Sequence, residues 1–381
     1  MATSSWTLPS HASLLTGRYP HDHGGIDDYN YRAKDFTIGE KLQSLGYRSA
    51  AISANREFFT KRWGFDRGFD HFGGLYATFE AAMHRTVFGY ELAIILERLF
   101  PSRVEREDAA VTGKLASDWV AKDPQRPFFV VINFYRTHSP YHPPDIYDTV
   151  LTDAPPRFGI TRADPRFHPP AVLDEARLRR RINRYDGAIR NIDDEMRRLV
   201  GQITQSNRRT IVIVTSDHGE AFGEHGTAGH KSSLYWEQIR VPIIIWAPGM
   251  VPQGVHVKTP VSIASIPATL MQLLGQQNIS EFPTPGLRSY WAPMESRPAG
   301  WPISEITQYQ FPGTEGSPVY FGGLASVITE KWHFIQHEKL GVELFDWQAD
   351  PQEQHDLSRT PEGEVAQESL SRYLQEMLKR R

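Results

Sequence analysis

The chain's 381 residues and 43.4 kDa are length enough for two to three domains at about 150 residues each, and 40% hydrophobic with 23% charged residues excludes a disordered or fibrous chain. The 42 Lys and Arg against 45 Asp and Glu leave a formal charge of −3 with no basic stripe, which argues against nucleic acid as a partner. Cysteine is absent, so disulfides, thiolate metal sites and a cysteine-derived nucleophile or cofactor are excluded. No apolar run reaches the roughly 18 residues of a membrane-spanning helix, and no signal-peptide pattern opens the chain, which leaves the cytoplasm as the default compartment.

In chain order, Pro9, Ser10 and the run ASLLT predict a helix that ends at Gly17, with Thr7 just ahead of it. Residues 38–45 (IGEKLQSL) read as a short amphipathic helix closed by Gly46, and 47–52 as a strand. A helix is expected over 108–121 and a near-continuous apolar strand over 128–134 (FFVVINF). Residues 178–201 carry Ile182, Ile189, Ile192, Met196 and Leu199 at helical spacing. Buried strands follow at 210–215 (TIVIVT) and 243–246 (IIIW), then a helix over 263–274 stopped by Gly275. Strands apolar on both faces and separated by helices predict an α/β fold with a mainly parallel sheet sandwiched by helices.

Composition changes after residue 276. Residues 277–302 are rich in Pro, Ser and Gly and read as a linker, and 319–328, 331–336 and 343–347 as strands of a meander. Leu370, Tyr373, Leu374, Met377 and Leu378 mark a final helix. The expected organisation is an α/β domain over 1–285 and a smaller C-terminal α+β subdomain over 286–381.

Three polar clusters sit where strands or helices should present functional groups. Thr7 precedes a helix whose free N–H groups and dipole favour an anion, so its hydroxyl is placed to attack a phosphorus or sulfur centre; the alternative is that Thr7 or Ser10 merely caps the helix. Directly after TIVIVT comes Thr215-Ser216-Asp217-His218-Gly219-Glu220, where a carboxylate beside an imidazole suits a divalent metal. Glu224, His225, His230 and Lys231 follow in a Gly-rich loop. The third cluster is His138 with His142 between prolines, after FFVVINF; site lining and a structural role are both open for it.

The segments SSWTLPSHASLLTGRYPHDHG, WGFDRGFDHF, PFFVVINFYRTHSPYHPP and TSDHGEAFGEHGTAGHK, in this order along nearly the whole chain, resemble the sulfatase branch of the alkaline-phosphatase superfamily. The resemblance implies an alkaline-phosphatase-like fold and metal-assisted hydrolysis of a sulfate or phosphate ester. It puts Thr7 at the nucleophile position, His11 where such enzymes have an Arg, and Asp217 and His218 at two metal-ligand positions. Lys231 falls on the Lys that contacts the ester oxygens, and His138 on a histidine that assists the leaving group or orients the nucleophile. His230 is a further candidate by proximity.

Three departures matter. Threonine cannot become formylglycine, so the attacking group expected at Thr7 is an unmodified hydroxyl, as in phosphate-ester relatives. The Lys-x-x-His pair of the family is absent from 52–58, where Asn55 is the one polar amide. The family's opening strand with its acidic metal ligands is also not seen ahead of Thr7. Asp27-Asp28 and Asp193-Asp194 read as solvated carboxylates, so half of the metal shell and one central strand are expected to be missing. The expected cofactor is one divalent cation, Ca²⁺ or Mg²⁺ ahead of Mn²⁺ or Zn²⁺, and the expected substrate a small-molecule, glycan or lipid ester. The alternatives are a non-catalytic relative that binds an anionic ligand and a transferase that passes a phosphoryl group to an alcohol.

Overall fold

The computed structural model describes residues 1–25, 34–55, 57–73, 109–148, 175–205, 208–277, 279–292, 300–310 and 314–379. The chain opens with α1 (Thr7–Thr16) and α2 (Pro20–His23). Next come α3 (Ile38–Ser44), β1 (Arg48–Ser53), β2 (His71–Gly73), α4 (Ala109–Ala121) and β3 (Phe128–Asn133). The long α5 (Glu175–Gln205) leads to β4 (Val212–Thr215) and the hairpin β5 (Ala221–Phe222) and β6 (Ala228–Gly229). After α6 (Trp236–Ile239), β7 (Ile243–Trp246) and α7 (Ile266–Leu273) come β8 (Ile303–Ile306), β9 (Leu324–Ile328), β10 (Trp332–His337), β11 (Gly341–Asp346) and α8 (Pro361–Leu378).

These residues group into two compact units, one of Met1–Phe36, Pro156–Leu178 and Arg209–Arg381, the other of Thr37–Pro155 and Arg179–Arg208. The second unit is built on a parallel sheet of order β2-β1-β3, with Ala50 opposite both His71 and Val130. Its core joins Ala50 and Ile52 to Ala116 and Trp119 of α4. Arg48 lays its guanidinium 4.2 Å over the Trp119 ring and donates to the Trp119 carbonyl at 3.1 Å, so this buried cation is held by a ring face and a dipole. Gly113 lets α4 approach α5, since a Cβ there would lie 1.8 Å from Glu195 Oε1.

In the first unit, β4 and β7 pair antiparallel, with Val212 opposite Trp246 and Thr215 opposite Ile243. A run of apolar residues carries no direction, which is why the sequence pattern alone left this pair inside a parallel sheet. The C-terminal sheet is antiparallel, in the order β11-β10-β9-β8. Neighbouring residues on its strands point to opposite faces, and both faces are covered. Ile303, Val327, Phe334 and Leu344 pack on Leu370 and Leu374 of α8, while Ile306, Ile328, Ile335 and Phe345 share a core with Met1, Leu234, Tyr235 and Ile239.

The fold is therefore α/β with a parallel sheet flanked by helices and a C-terminal antiparallel sheet with its helix, as the pattern implied. Four local expectations change. The strand expected over 319–328 is a helical turn at Pro318–Phe321 followed, after Gly322, by β9. The helix over 263–274 starts with a 3-10 turn, Ile263–Ser265. The four residues of β8 lay beyond the meander read from sequence. Part of the 277–302 linker is packed, with Phe282 and Leu287 buried and the Leu287 amide donating to Thr269 Oγ1 at 2.9 Å. Among the described residues no helix is long and apolar enough to cross a membrane.

Candidate active site

The first six residues fix where α1 begins. The Ala2 amide donates to the Ile239 carbonyl, Glu305 N–H of β8 donates to the Thr3 carbonyl, and Lys231 N–H donates to the Ser5 carbonyl, all at 2.8–2.9 Å. Thr3, Ser4 and Ser5 are fully buried. The segment is thus stitched to β8 and to the 230s loop, and α1 starts at Thr7 against that frame. Trp6 is the residue before the helix and offers no side-chain cap. Neither Thr7 nor Ser10 caps α1: Ser10 Oγ donates to the Ser4 carbonyl at 2.9 Å, and the Ser10 amide goes to the Trp6 carbonyl.

Thr7 is 3% exposed, and its Oγ1 lies 3.0 Å from His218 Nε2. His218 Nδ1 lies 2.8 Å from the Gly219 carbonyl, an atom that only accepts, so Nδ1 carries the proton and Nε2 turns its lone pair to the Thr7 hydroxyl. His11 Nδ1 donates to the Thr7 carbonyl at 2.9 Å and lies 3.3 Å from Asp217 Oδ2. Asp217 Oδ2 is also 3.4 Å from His218 Nε2. Burial alone would push the Asp217 carboxyl up, yet His218, His11 and His230 around it together hold it well below the usual carboxylate range. Burial lowers His218 to about 4, against the opposing pull of Asp217, so the imidazole is neutral at pH 7.

The DHGE turn reaches this position because position 219 is glycine. A Cβ there would lie 2.1 Å from the Glu237 carbonyl, whereas the bare backbone donates Gly219 N–H to Gln238 O and Glu220 N–H to Glu237 O. Glu220, part of the second polar cluster in the sequence but given no role there, takes a hydrogen bond from His230 Nδ1 at 3.0 Å. The His230 ring stacks on His218 with centroids 4.3 Å apart. Lys231 is held at φ 63°, a left-handed conformation that costs a non-glycine residue about 1–2 kcal/mol. Its ammonium nitrogen is 3.6 Å from the ring centroids of both Trp6 and Tyr309. Trp6 and Tyr309 had no sequence signal beyond being aromatic, because their meeting with Lys231 is made entirely by tertiary packing.

Thr7, His11, Asp217, His218, His230 and Lys231 thus come together in the first unit. His138 belongs to the second unit, where its Nδ1 donates to the Ser139 carbonyl at 2.7 Å and its ring stacks on Tyr135 at 4.2 Å. Asn55 Oδ1 caps the turn after β1, accepting from the amides of Glu57 and Phe58. Asp193 and Asp194 lie on α5 and pair with Arg197 and Arg190, the solvated role expected of them. Asp27 and Asp28 fall outside the described residues.

An ionised carboxylate and the lone pair of a neutral imidazole 3.4 Å apart, with a hydroxyl 3.0 Å from that imidazole, are donors a divalent cation takes, so the residues present fit part of a metal shell. Among the described residues a second group, His225, Glu237 and Glu353, brings three ligand atoms within 4.8 Å of one another. Glu353 accepts the Trp236 amide at 2.9 Å and is hydrogen-bonded to His333. Burial, then Glu224 and Glu353, raises the Glu237 carboxyl well above its usual range and favours its protonated form.

The sequence model of one family, described as Sulfatase, matches residues 1–276. The multifunctional alkaline phosphatase superfamily protein PehA of Trinickia caryophylli is 24% identical over 426 residues, covering 93% of this chain and 81% of that protein. Two solved structures share the fold. BT4656, determined in complex with its substrate D-glucosamine-2-N,6-O-disulfate, superposes with a TM-score of 0.74 at 16% identity, over 99% of this chain and 89% of the other. The phosphonate monoester hydrolase of Agrobacterium radiobacter gives 0.73 at 18% identity, over 99% and 86%.

Proposed function

The chain belongs to the sulfatase family, and we propose that it hydrolyses sulfate or phosphate esters with Thr7 as nucleophile. The observation that carries this reading is the Thr7 hydroxyl 3.0 Å from a neutral His218, beside an ionised Asp217, at the N-terminus of α1. An alcohol at neutral pH is a weak nucleophile and needs an acceptor that orients its proton away from the electrophile, which His218 Nε2 offers. His11 braces both the Thr7 backbone and Asp217. Lys231 brings a positive charge for the non-bridging oxygens of the ester. His230 donates its Nδ1–H to Glu220 and stacks on His218, which places a second imidazole beside the nucleophile's partner.

Attack by Thr7 Oγ1 on sulfur or phosphorus forms the threonine ester and breaks the bond to the leaving alcohol, which takes up a proton; water then cleaves the threonine ester. Asp217 and His218 would hold one divalent cation, Ca²⁺ or Mg²⁺ by the hardness of the carboxylate, and the His218 Nε2 lone pair would then go to the cation instead of accepting the Thr7 proton. When bound, such a cation supplies Lewis-acid polarisation of the ester and a lower hydroxyl pKa. Substrates in reach of this chemistry are small-molecule, glycan or lipid esters. Assaying the chain with aryl sulfate, aryl phosphate and phosphonate monoester, each with Ca²⁺ or Mg²⁺ present, tests the reading. Turnover of at least one is expected, and binding of inorganic phosphate with no turnover of any would favour a non-catalytic anion-binding protein instead.

A further inference from the structure

We infer that Trp6 and Tyr309 are positioning residues that clamp the Lys231 ammonium between two aromatic faces and so fix the charge that meets the substrate's oxygens. The inference rests on the ester-hydrolase reading for its consequence, and on geometry for the clamp itself. The Trp6 and Tyr309 ring centroids are 6.4 Å apart with the rings 29° from parallel, and the Lys231 nitrogen is 3.6 Å from each, so the ammonium sits between them. Trp6 in turn stacks on His230 with centroids 5.9 Å apart, and His230 on His218, which faces Thr7. One column of rings therefore runs from the nucleophile's partner to the lysine.

A carboxylate in the same place would hold the lysine equally well but would cancel its charge toward an anion. Ring faces attract the cation through their quadrupole without themselves neutralising its charge. The clamp also restrains a long side chain that would otherwise sample many rotamers, so less ordering remains to be done when the ester arrives. Its two halves come from distant parts of the chain. Trp6 immediately precedes the nucleophile, whereas Tyr309 follows β8 of the C-terminal sheet, held by its amide on the Val319 carbonyl at 3.1 Å. The C-terminal sheet thereby contributes to the site by supplying one wall.

Tyr309 is half-buried between exposed Gln308 and Gln310 and packs on the edge of the core that holds Ile306 and Val319, so both replacements keep an apolar side chain there. The test compares Tyr309→Leu with Tyr309→Phe in the full-length chain, following the Lys231 ε-methylene proton resonances in lysine-labelled protein and the affinity for inorganic phosphate. The resonances, assigned by their loss in Lys231→Arg, are expected upfield from ring currents in the wild type and in Tyr309→Phe, and shifted back in Tyr309→Leu. Phosphate affinity is expected to fall about tenfold in Tyr309→Leu and to be kept by Tyr309→Phe. An unshifted wild-type resonance, or equal loss of affinity in both variants, overturns the clamp. Neither readout needs turnover, so absence of hydrolysis counts against the ester-hydrolase reading alone.

Discussion

His218 turns the lone pair of Nε2 to the Thr7 hydroxyl across 3.0 Å because its other ring nitrogen is spent on the Gly219 carbonyl. The tautomer is set by one residue of backbone that follows the histidine, so the pairing is built into the DHGE turn. That same lone pair is the one a cation would take, so at Nε2 the Thr7 proton and a cation compete for one nitrogen.

Cation binding is therefore expected to depend on Asp217. At about 10 mM Ca²⁺ or Mg²⁺ the melting temperature should rise by about 2 °C, as for a site of millimolar affinity, and Asp217→Asn should abolish the rise. Glu237→Gln serves as the control, since His225, Glu237 and Glu353 form a separate group. A rise that survives Asp217→Asn and disappears in Glu237→Gln would move the cation to that group.

Stability should fall in mild acid through His23. Burial, followed by the charges of His21 and Arg18, lowers this imidazole to about 3 in the folded chain. Its Nδ1 accepts the Gly25 amide at 2.9 Å and its Nε2 lies 3.0 Å from Ser13 Oγ, a neutral arrangement. The unfolded histidine takes a proton near 6.5, so this stability is intact above 6.5 and is lost as pH falls toward 3, by about 2 kcal/mol at pH 5. Thermal unfolding from pH 7 to pH 5 should show a steeper loss for the wild type than for His23→Gln. Parallel curves would remove His23 from the account.

The boundary proposed at 285/286 separates sequence patterns that share packing. Ile306, Leu324, Ile335 and Phe345 share one core with Met1, Ala2, Leu234 and Tyr235. A fragment of residues 286–381 should consequently retain helix by far-UV circular dichroism but lack a cooperative thermal transition, since one face of its sheet is stripped. A cooperative transition in the fragment alone would mean that it is an independent domain.

Elements whose signal is local were legible in the sequence. Leu370 and Leu374 at helical spacing are the buried face of α8, and the apolar run before Asp217 is β4. Thr7, Asp217, His218 and Lys231 could be named as candidates because their motifs are compact, and the first unit brings them together. What escaped was everything decided by long-range contact. The direction of β7 depends on its partner, Ser10 looked like a helix cap until the Ser4 carbonyl claimed its hydroxyl, and Tyr309 gains meaning only from Lys231, far away in the chain. The strand expected over 319–328 begins only at Leu324, because Pro318 starts a helical turn over its first residues and Gly322 ends that turn.

The central claim is that Thr7 is the attacking group, and intact-protein mass after rapid quenching with an aryl ester tests it most directly. The wild type with Ca²⁺ or Mg²⁺ should gain the mass of one sulfuryl or phosphoryl group, mapped to Thr7, and turn over the ester. Thr7→Ala should gain none and lose turnover by about a thousandfold or more, with its melting temperature nearly unchanged because no helix cap is removed. Full turnover in Thr7→Ala, or an adduct mapped to another residue, would contradict the claim.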